Sequence, residues 1–130
     1  MAERLSTNPI HLGLQATAAV QPVFTGEMSW YEGYGQRHGA DGVEGRLVSM
    51  HRFDTSWDVW EMHPSGAEVV LCTSGTIDLV QEIDGDEVVT TLNAGEYAIN
   101  SPGVWHTADV TAPTECVFIT AGLGTQHRQR

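Results

Sequence analysis

Hydrophobic and polar positions alternate along most of the chain from residue 46 onward. A period of two is the mark of strands with one buried face. Arg46–Phe53, Ser56–His63, Glu68–Thr73 and Thr76–Ile83 each fit a short strand, and Glu87–Leu92, Glu96–Asn100, Val104–Val110 and Glu115–Ala121 continue the series. Turn residues punctuate it at Pro64-Ser65-Gly66, Ser74-Gly75 and Asn93-Ala94-Gly95. Asp84-Gly85 between two alternating runs is a strong hairpin signal. About eight short strands with regular turns and no convincing helix predict an all-β sandwich or barrel.

Residues 1–45 follow no such rule. Thr17–Val23 is mixed and contains Pro22, and glycines crowd residues 39–45. No helical period holds over three turns, and one short strand around Ser29–Tyr31 is expected. The predicted organisation is an N-terminal arm or lid (1–45) packing on a barrel (46–124), followed by a polar, frayed tail (125–130).

Composition narrows the setting. A chain of 130 residues, 41% hydrophobic, can bury one core without disulfides or a structural metal. Its longest apolar runs are a few residues, far short of the roughly 20 that span a bilayer. The first residues lack a basic stretch followed by an apolar one, so a secretory signal is not expected. Cys72 and Cys116 each sit in an apolar run and read as buried free thiols in a reducing, cytoplasmic setting, with a structural disulfide the alternative. The net charge of −11 disfavours nucleic acid and anionic membrane partners. All six basic residues are Arg, which excludes a lysine Schiff base. There is no Gly-x-Ser-x-Gly elbow and no phosphate-cradling loop; the glycines at 33, 35, 39, 42 and 45 do not follow a strand and open a helix.

The candidate chemistry sits on two strands and a turn. Residues two apart share a strand face, so Trp57, Val59, Glu61 and His63 point one way. After the Pro-Ser-Gly turn, Glu68, Val70 and Cys72 share a face, and Glu61, His63 and Glu68 can converge inside a barrel. His106 opens a later strand just beyond Pro102-Gly103. Two imidazoles and one or two carboxylates in an apolar interior form a metal-ligand set.

At these residues the chain resembles a small single-domain cupin. The family's first motif is Gly, five residues, His-x-His, three or four residues, Glu, six residues, Gly. His63 falls on the second His, Glu68 follows after four residues and Gly75 after six more. The second motif is Gly, five residues, Pro-x-Gly, two residues, His, three residues, Asn, and Gly95, Gly103 and His106 keep its spacing. Thr55, Glu61, Ser101 and Val110 depart from the pattern, standing in place of Gly, the first His, Pro and Asn. The resemblance covers residues 46–121 and hardly touches the N-terminal third. It implies an antiparallel cupin-like β-barrel (jelly roll).

Two ligand sets are open. Either Glu61, His63, Glu68 and His106 all bind a divalent ion, or His63, Glu68 and His106 do and Glu61 serves as a general base. Two carboxylates favour Mn or Fe, with Zn and Ni compatible. A metal-free barrel would have to bury two acids at a cost. His51, Trp57 and Cys72 are candidates for the substrate pocket, core packing being the plainer reading of each. Trp30, Tyr31 and Tyr34 could form a flap over the barrel mouth. Trp60 and Met62 point away from Glu61 and give a motive for a homodimer. The expected function is a metal-dependent enzyme acting on a small-molecule ligand, as dioxygenase, isomerase or lyase. The alternative is a non-catalytic metal- or ligand-binding module.

Overall fold

The computed structural model describes residues 1–130. Two antiparallel sheets face each other. One has six strands in the order β2 (Ala18–Val20), β1 (Ile10–Leu12), β3 (Arg46–Phe53), β10 (Thr114–Thr120), β5 (Glu68–Ser74), β8 (Tyr97–Asn100). The other has five, in the order β11 (Gln126–Gln129), β4 (Val59–Met62), β9 (His106–Asp109), β6 (Thr76–Ile83), β7 (Asp86–Asn93). The eight strands read from alternation are all present, with ends shifted by up to three residues. The antiparallel barrel expectation therefore holds.

Alternation places the core. On β5, Glu68, Val70 and Cys72 are buried; on β10, Thr114, Cys116 and Phe118 are. Val70, Cys72, Ile77, Leu92, Ala108, Val110, Cys116 and Phe118 form one cluster between the sheets. Both cysteines are free and buried, paired across β5 and β10. Burial pushes the Cys116 thiol up to about 12, and Cys72 beside it adds to the shift. Cys72 thus belongs to the core rather than to a pocket wall. The sharp β5–β6 corner needs Gly75, which has φ +78°; a Cβ there would lie 2.6 Å from the Pro113 carbonyl. Asp84 and Gly85, both at positive φ, make the β6–β7 hairpin.

Three expectations are corrected. Ser29–Tyr31 is not a strand but part of an α-helix, α1 (Met28–His38). Its sequence hides this, because Gly33 and Gly35 weaken the helix and Trp30 alone is buried. Packing holds it instead: the Trp30 indole donates to the Pro22 carbonyl at 3.2 Å and stacks on Tyr34. Residues 125–130 are not frayed either, because β11 pairs along β4. This strand has no apolar residue, so no alternation marks it. Finally, Trp60 is buried within its own chain, under the guanidinium of Arg128 at 5.1 Å. That cover removes the motive it offered for a homodimer.

The arm is continuous with the barrel. β1 pairs with β3, while α1 and the 3₁₀ turn Gly39–Glu44 help to wall a cavity of about 1030 Å³.

Candidate metal centre and cavity

Register brings the four candidate ligands together. Glu61 on β4 lies directly opposite His106 on β9, and opposite His127 on β11. Glu68 on β5 lies opposite Asn100 on β8. His63 follows β4, and its carbonyl accepts the Gly103 N–H at 3.0 Å, which fastens the β8–β9 turn beside it.

The hydrogen bonds fix how both imidazoles are protonated. The Thr125 hydroxyl donates to the Gly122 carbonyl, so toward His63 Nδ1, 2.8 Å away, it can only accept. His63 Nδ1 therefore bears the proton. His106 Nδ1 faces the Val104 carbonyl at 3.2 Å, which likewise only accepts. In the neutral rings both Nε2 atoms consequently present lone pairs. Both are buried and without a hydrogen-bond partner. They lie 3.1 and 3.3 Å from the two oxygens of Glu68, and each lies 3.8 Å from Glu61 Oε2.

Lone pairs facing carboxylates call for a positive charge between them, either protons or a cation. The spacing suits a cation. Ligand bonds of about 2.1 Å meeting at a right angle place their ends about 3 Å apart, the separation of the Glu68 oxygens from the two nitrogens. One ligand atom each from Glu61, His63 and His106 also falls within 4.8 Å of the others. Without a cation, protons take its place. Burial works against a charged His63, but the adjacent Glu68, then Glu61, raise its pKa above the ordinary value. Burial likewise opposes the Glu68 carboxylate, yet His106 and His63 beside it hold its pKa well below the usual carboxylate range.

A further layer aims the ligands. Asn100 Nδ2 donates to Glu68 Oε1 at 3.1 Å and Thr120 Oγ1 to Oε2 at 2.6 Å. Gln81 Nε2 in turn donates to Asn100 Oδ1 at 2.7 Å. His127 Nε2 comes to 3.2 Å from Glu61 Oε1, so the residue read as part of a loose tail touches a candidate ligand. The sequence carried no sign of Thr125, Asn100, Thr120 or His127: each works through a strand neighbour remote in the chain.

The candidate centre opens on the cavity, which Glu61, His63 and Glu68 border. His51 and Trp57 border it too, while Cys72 does not. Burial keeps the pKa of His51 below the ordinary value, a shift Glu68 partly offsets. The indole Nε1 of Trp57 is a buried donor without a partner. The flap residues separate: Tyr31 and Tyr34 reach the cavity, and Trp30 anchors the helix behind them. Burial and then the charge of Glu61 raise the pKa of Tyr31. A second grouping of possible ligands, His11, His38 and Asp41, lies in the arm.

No protein-family model matches this chain, and no curated protein does. Solved structures do match. A conserved protein with a double-stranded β-helix domain from Klebsiella pneumoniae subsp. pneumoniae is 24% identical, over 65% of this chain and 76% of that one, with a TM-score of 0.54. Oxalate oxidase in complex with the substrate analogue glycolate is 14% identical, over 62% of this chain and 45% of that one, with a TM-score of 0.54. Fe(II)-HppE with an alternative substrate is 14% identical, over 58% of this chain and 42% of that one, with a TM-score of 0.50. The matched region spans under half the length of the latter two. At such identities the likeness is one of fold.

Proposed function

We propose that this chain, a small cupin in fold, is a metal-dependent enzyme acting on a small organic molecule. The observation that supports it is the pair of buried, partnerless Nε2 atoms of His63 and His106, set against two carboxylates at the wall of a large cavity. His63, Glu68 and His106 would hold the ion, and Glu61 would be a fourth ligand or a base. The carboxylate-rich donor set favours Mn or Fe over Zn or Ni. Bound there, the ion supplies Lewis-acid polarisation of a substrate oxygen, or activation of water or O2, chemistry that suits a dioxygenase, an isomerase or a lyase.

The chain's own residues supply the rest. Glu61 is about a third exposed and borders the cavity, so it can take a proton from a bound molecule. His127, against its other oxygen, can receive that charge. The Trp57 ring adds an apolar wall against which a ligand can pack. The arm closes one side of the cavity and limits access of water. A volume near 1000 Å³ is at the upper end of small-molecule sites.

Metal analysis of protein purified without chelators tests the proposal, alongside Glu61→Gln and His106→Ala. Stoichiometric metal lost in both variants makes Glu61 a ligand. Metal kept in Glu61→Gln but lost in His106→Ala makes Glu61 free to act as a base. Metal content unchanged in both variants refutes the centre. Bound metal without an open coordination position would favour the non-catalytic module.

A further inference from the structure

The arm holds a second polar assembly on the same cavity. His11 is buried, and its two ring nitrogens are both engaged: Nε2 lies 2.6 Å from Asp41 Oδ2, and Nδ1 lies 2.6 Å from the Tyr34 hydroxyl. Ionised Asp41 only accepts, so His11 carries its proton on Nε2. Nδ1 then accepts from the Tyr34 O–H. Three segments remote in sequence, β1, α1 and the 3₁₀ turn, thus form one chain of hydrogen bonds that ends on a phenol. Tyr34 and His11 border the cavity.

Two glycines make room for it. A Cβ at Gly13 would lie 2.9 Å from Asp41 Oδ2 and 3.2 Å from His11 Nε2; one at Gly45 would lie 3.0 Å from His11 Cε1 and 3.1 Å from Asp41 Cβ. Neither glycine has a positive φ, so the backbone does not demand them. What they provide is space around the His11–Asp41 pair.

This grouping is not arranged as a metal site, although His38 completes a possible ligand set. The His11 and His38 rings stack at 3.9 Å and 16° between planes, so their lone pairs run alongside each other and do not converge. His38 Nε2 already meets the Gln21 amide at 2.9 Å. Both ring nitrogens of His11 are engaged, unlike Nε2 of His63 and His106.

We propose that Tyr34 is a proton-transferring catalytic residue for the cavity's ligand, with His11 and Asp41 as its positioning residues. The proposal rests on the cavity being the ligand site, but not on a metal. The ligand class is a small molecule carrying an alcohol, enol or phenol hydroxyl that reaches Tyr34 in the cavity. In the step, the ligand O–H breaks and its proton passes to Tyr34 Oη. The Tyr34 proton passes to His11 Nδ1, and the electron pair stays on the ligand oxygen. The imidazolium so formed is stabilised by Asp41. The assistance is needed, because burial, with Asp41 adding to it, pushes the Tyr34 phenol up to about 12.

The chain's three tyrosines allow an internal comparison, since Tyr97 is 63% exposed and Tyr34 is half-buried. The probe is N-acetylimidazole, with sites of acetylation read by peptide mapping. The Tyr34 oxygen bonds to the acetyl carbon, the carbon–nitrogen bond to imidazole breaks, and the Tyr34 proton leaves through His11 to the departing imidazole. A phenol with a base behind it reacts faster than Tyr97, whereas a hydrogen bond with only a structural role protects it. In Asp41→Asn the amide either reverses the His11 tautomer or withdraws the charge that stabilises the imidazolium. Tyr34 acetylation should then fall about tenfold or more, on the low side of general-base assistance, with Tyr97 unchanged. Tyr34 slower than Tyr97 in the wild type, or a Tyr34 rate unmoved by Asp41→Asn, overturns the proposal. Both measurements work on metal-free protein, so failure of the metal centre would not be mistaken for failure here.

Discussion

Thr125→Val isolates the orientation of one ligand without touching the ligand itself. The substitution keeps shape and volume and removes the only acceptor of His63 Nδ1. His63 is buried, with 7% of its side chain exposed, so solvent reaches the lost partner's place only through the cavity that Thr125 borders. A buried donor left unpaired costs about 1–3 kcal/mol. The ring can escape part of that cost by moving its proton to Nε2, where Glu68 lies 3.1 Å away, but this removes the lone pair a metal needs. Either way the metal-binding form of His63 is penalised. Loss of such an outer partner typically weakens a metal site about 10–100-fold, or about 1.4–2.7 kcal/mol. The assay is a competition titration of Mn(II) or Fe(II) against a chelator of known affinity, with Thr125→Ser as the control that keeps the hydroxyl. Thr125→Val should lose affinity by that factor and Thr125→Ser should lose little. Equal affinity in all three proteins would refute the inference that Thr125 sets the His63 tautomer.

Other outcomes follow from the same geometry. Asn100→Leu removes the donor to Glu68 Oε1 and one of the two acceptors of the Gln81 amide, which keeps the Ile99 carbonyl, and should lower Tm and metal affinity together, as read by thermal melts with and without metal. Ile77→Ala, at a site with no exposure, should cost about 2–5 kcal/mol in denaturant unfolding and leave metal affinity unchanged, because the cavity it makes lies in the core. In metal-free protein, the raised pKa of His63 gives stability that is complete below its ordinary 6.5 and lost as pH rises through the raised value. The lowered pKa of Glu68 gives stability that is complete above its ordinary 4.5 and lost as pH falls through the lowered value. The metal-free Tm should therefore hold between pH 4.5 and 6.5 and fall on the alkaline side. Saturating metal should abolish that alkaline fall, since the ion then takes the proton's place on His63.

The barrel was legible because its strands obey one rule strongly. Buried positions alternate with less buried ones along β5 and β10, and Asp84-Gly85 and Gly75 mark where the chain must reverse. The convergence of Glu61, His63, Glu68 and His106 was legible for the same reason: the first three share inward faces, and His106 opens a strand fixed by the turn before it. What stayed hidden was held by partners rather than by pattern. The helix α1 has two glycines and one buried side chain, so nothing in its own sequence pays for helix formation. The strand β11 is wholly polar, because one side meets solvent and Arg128 meets Trp60 and Trp105 through its charge. Its pairing with β4 is what carries His127 to Glu61.

The two walls of the cavity differ in how they are held, and the difference bears on function. The side with the candidate ligands is built on paired strands, and Glu68 and His63 are braced through Asn100, Thr120 and Thr125 to the core and to the chain beyond β10. Such a site resists distortion, which a metal centre requires to keep its ligand geometry. The opposite wall is the arm. It depends on a glycine-weakened helix, the Trp30 anchor and the buried His11 chain. Local opening draws on the least stable parts of a fold, and here those parts flank the cavity. If the arm loosens to admit a ligand, Glu61, His63, Glu68 and His106 stay assembled on their own strands. Because Tyr34 and His11 both belong to the arm, their hydrogen bond moves with it, and Tyr34 meets a bound ligand only when the arm is closed. A hydroxyl of a bound molecule would then meet its proton acceptor at the moment water is excluded.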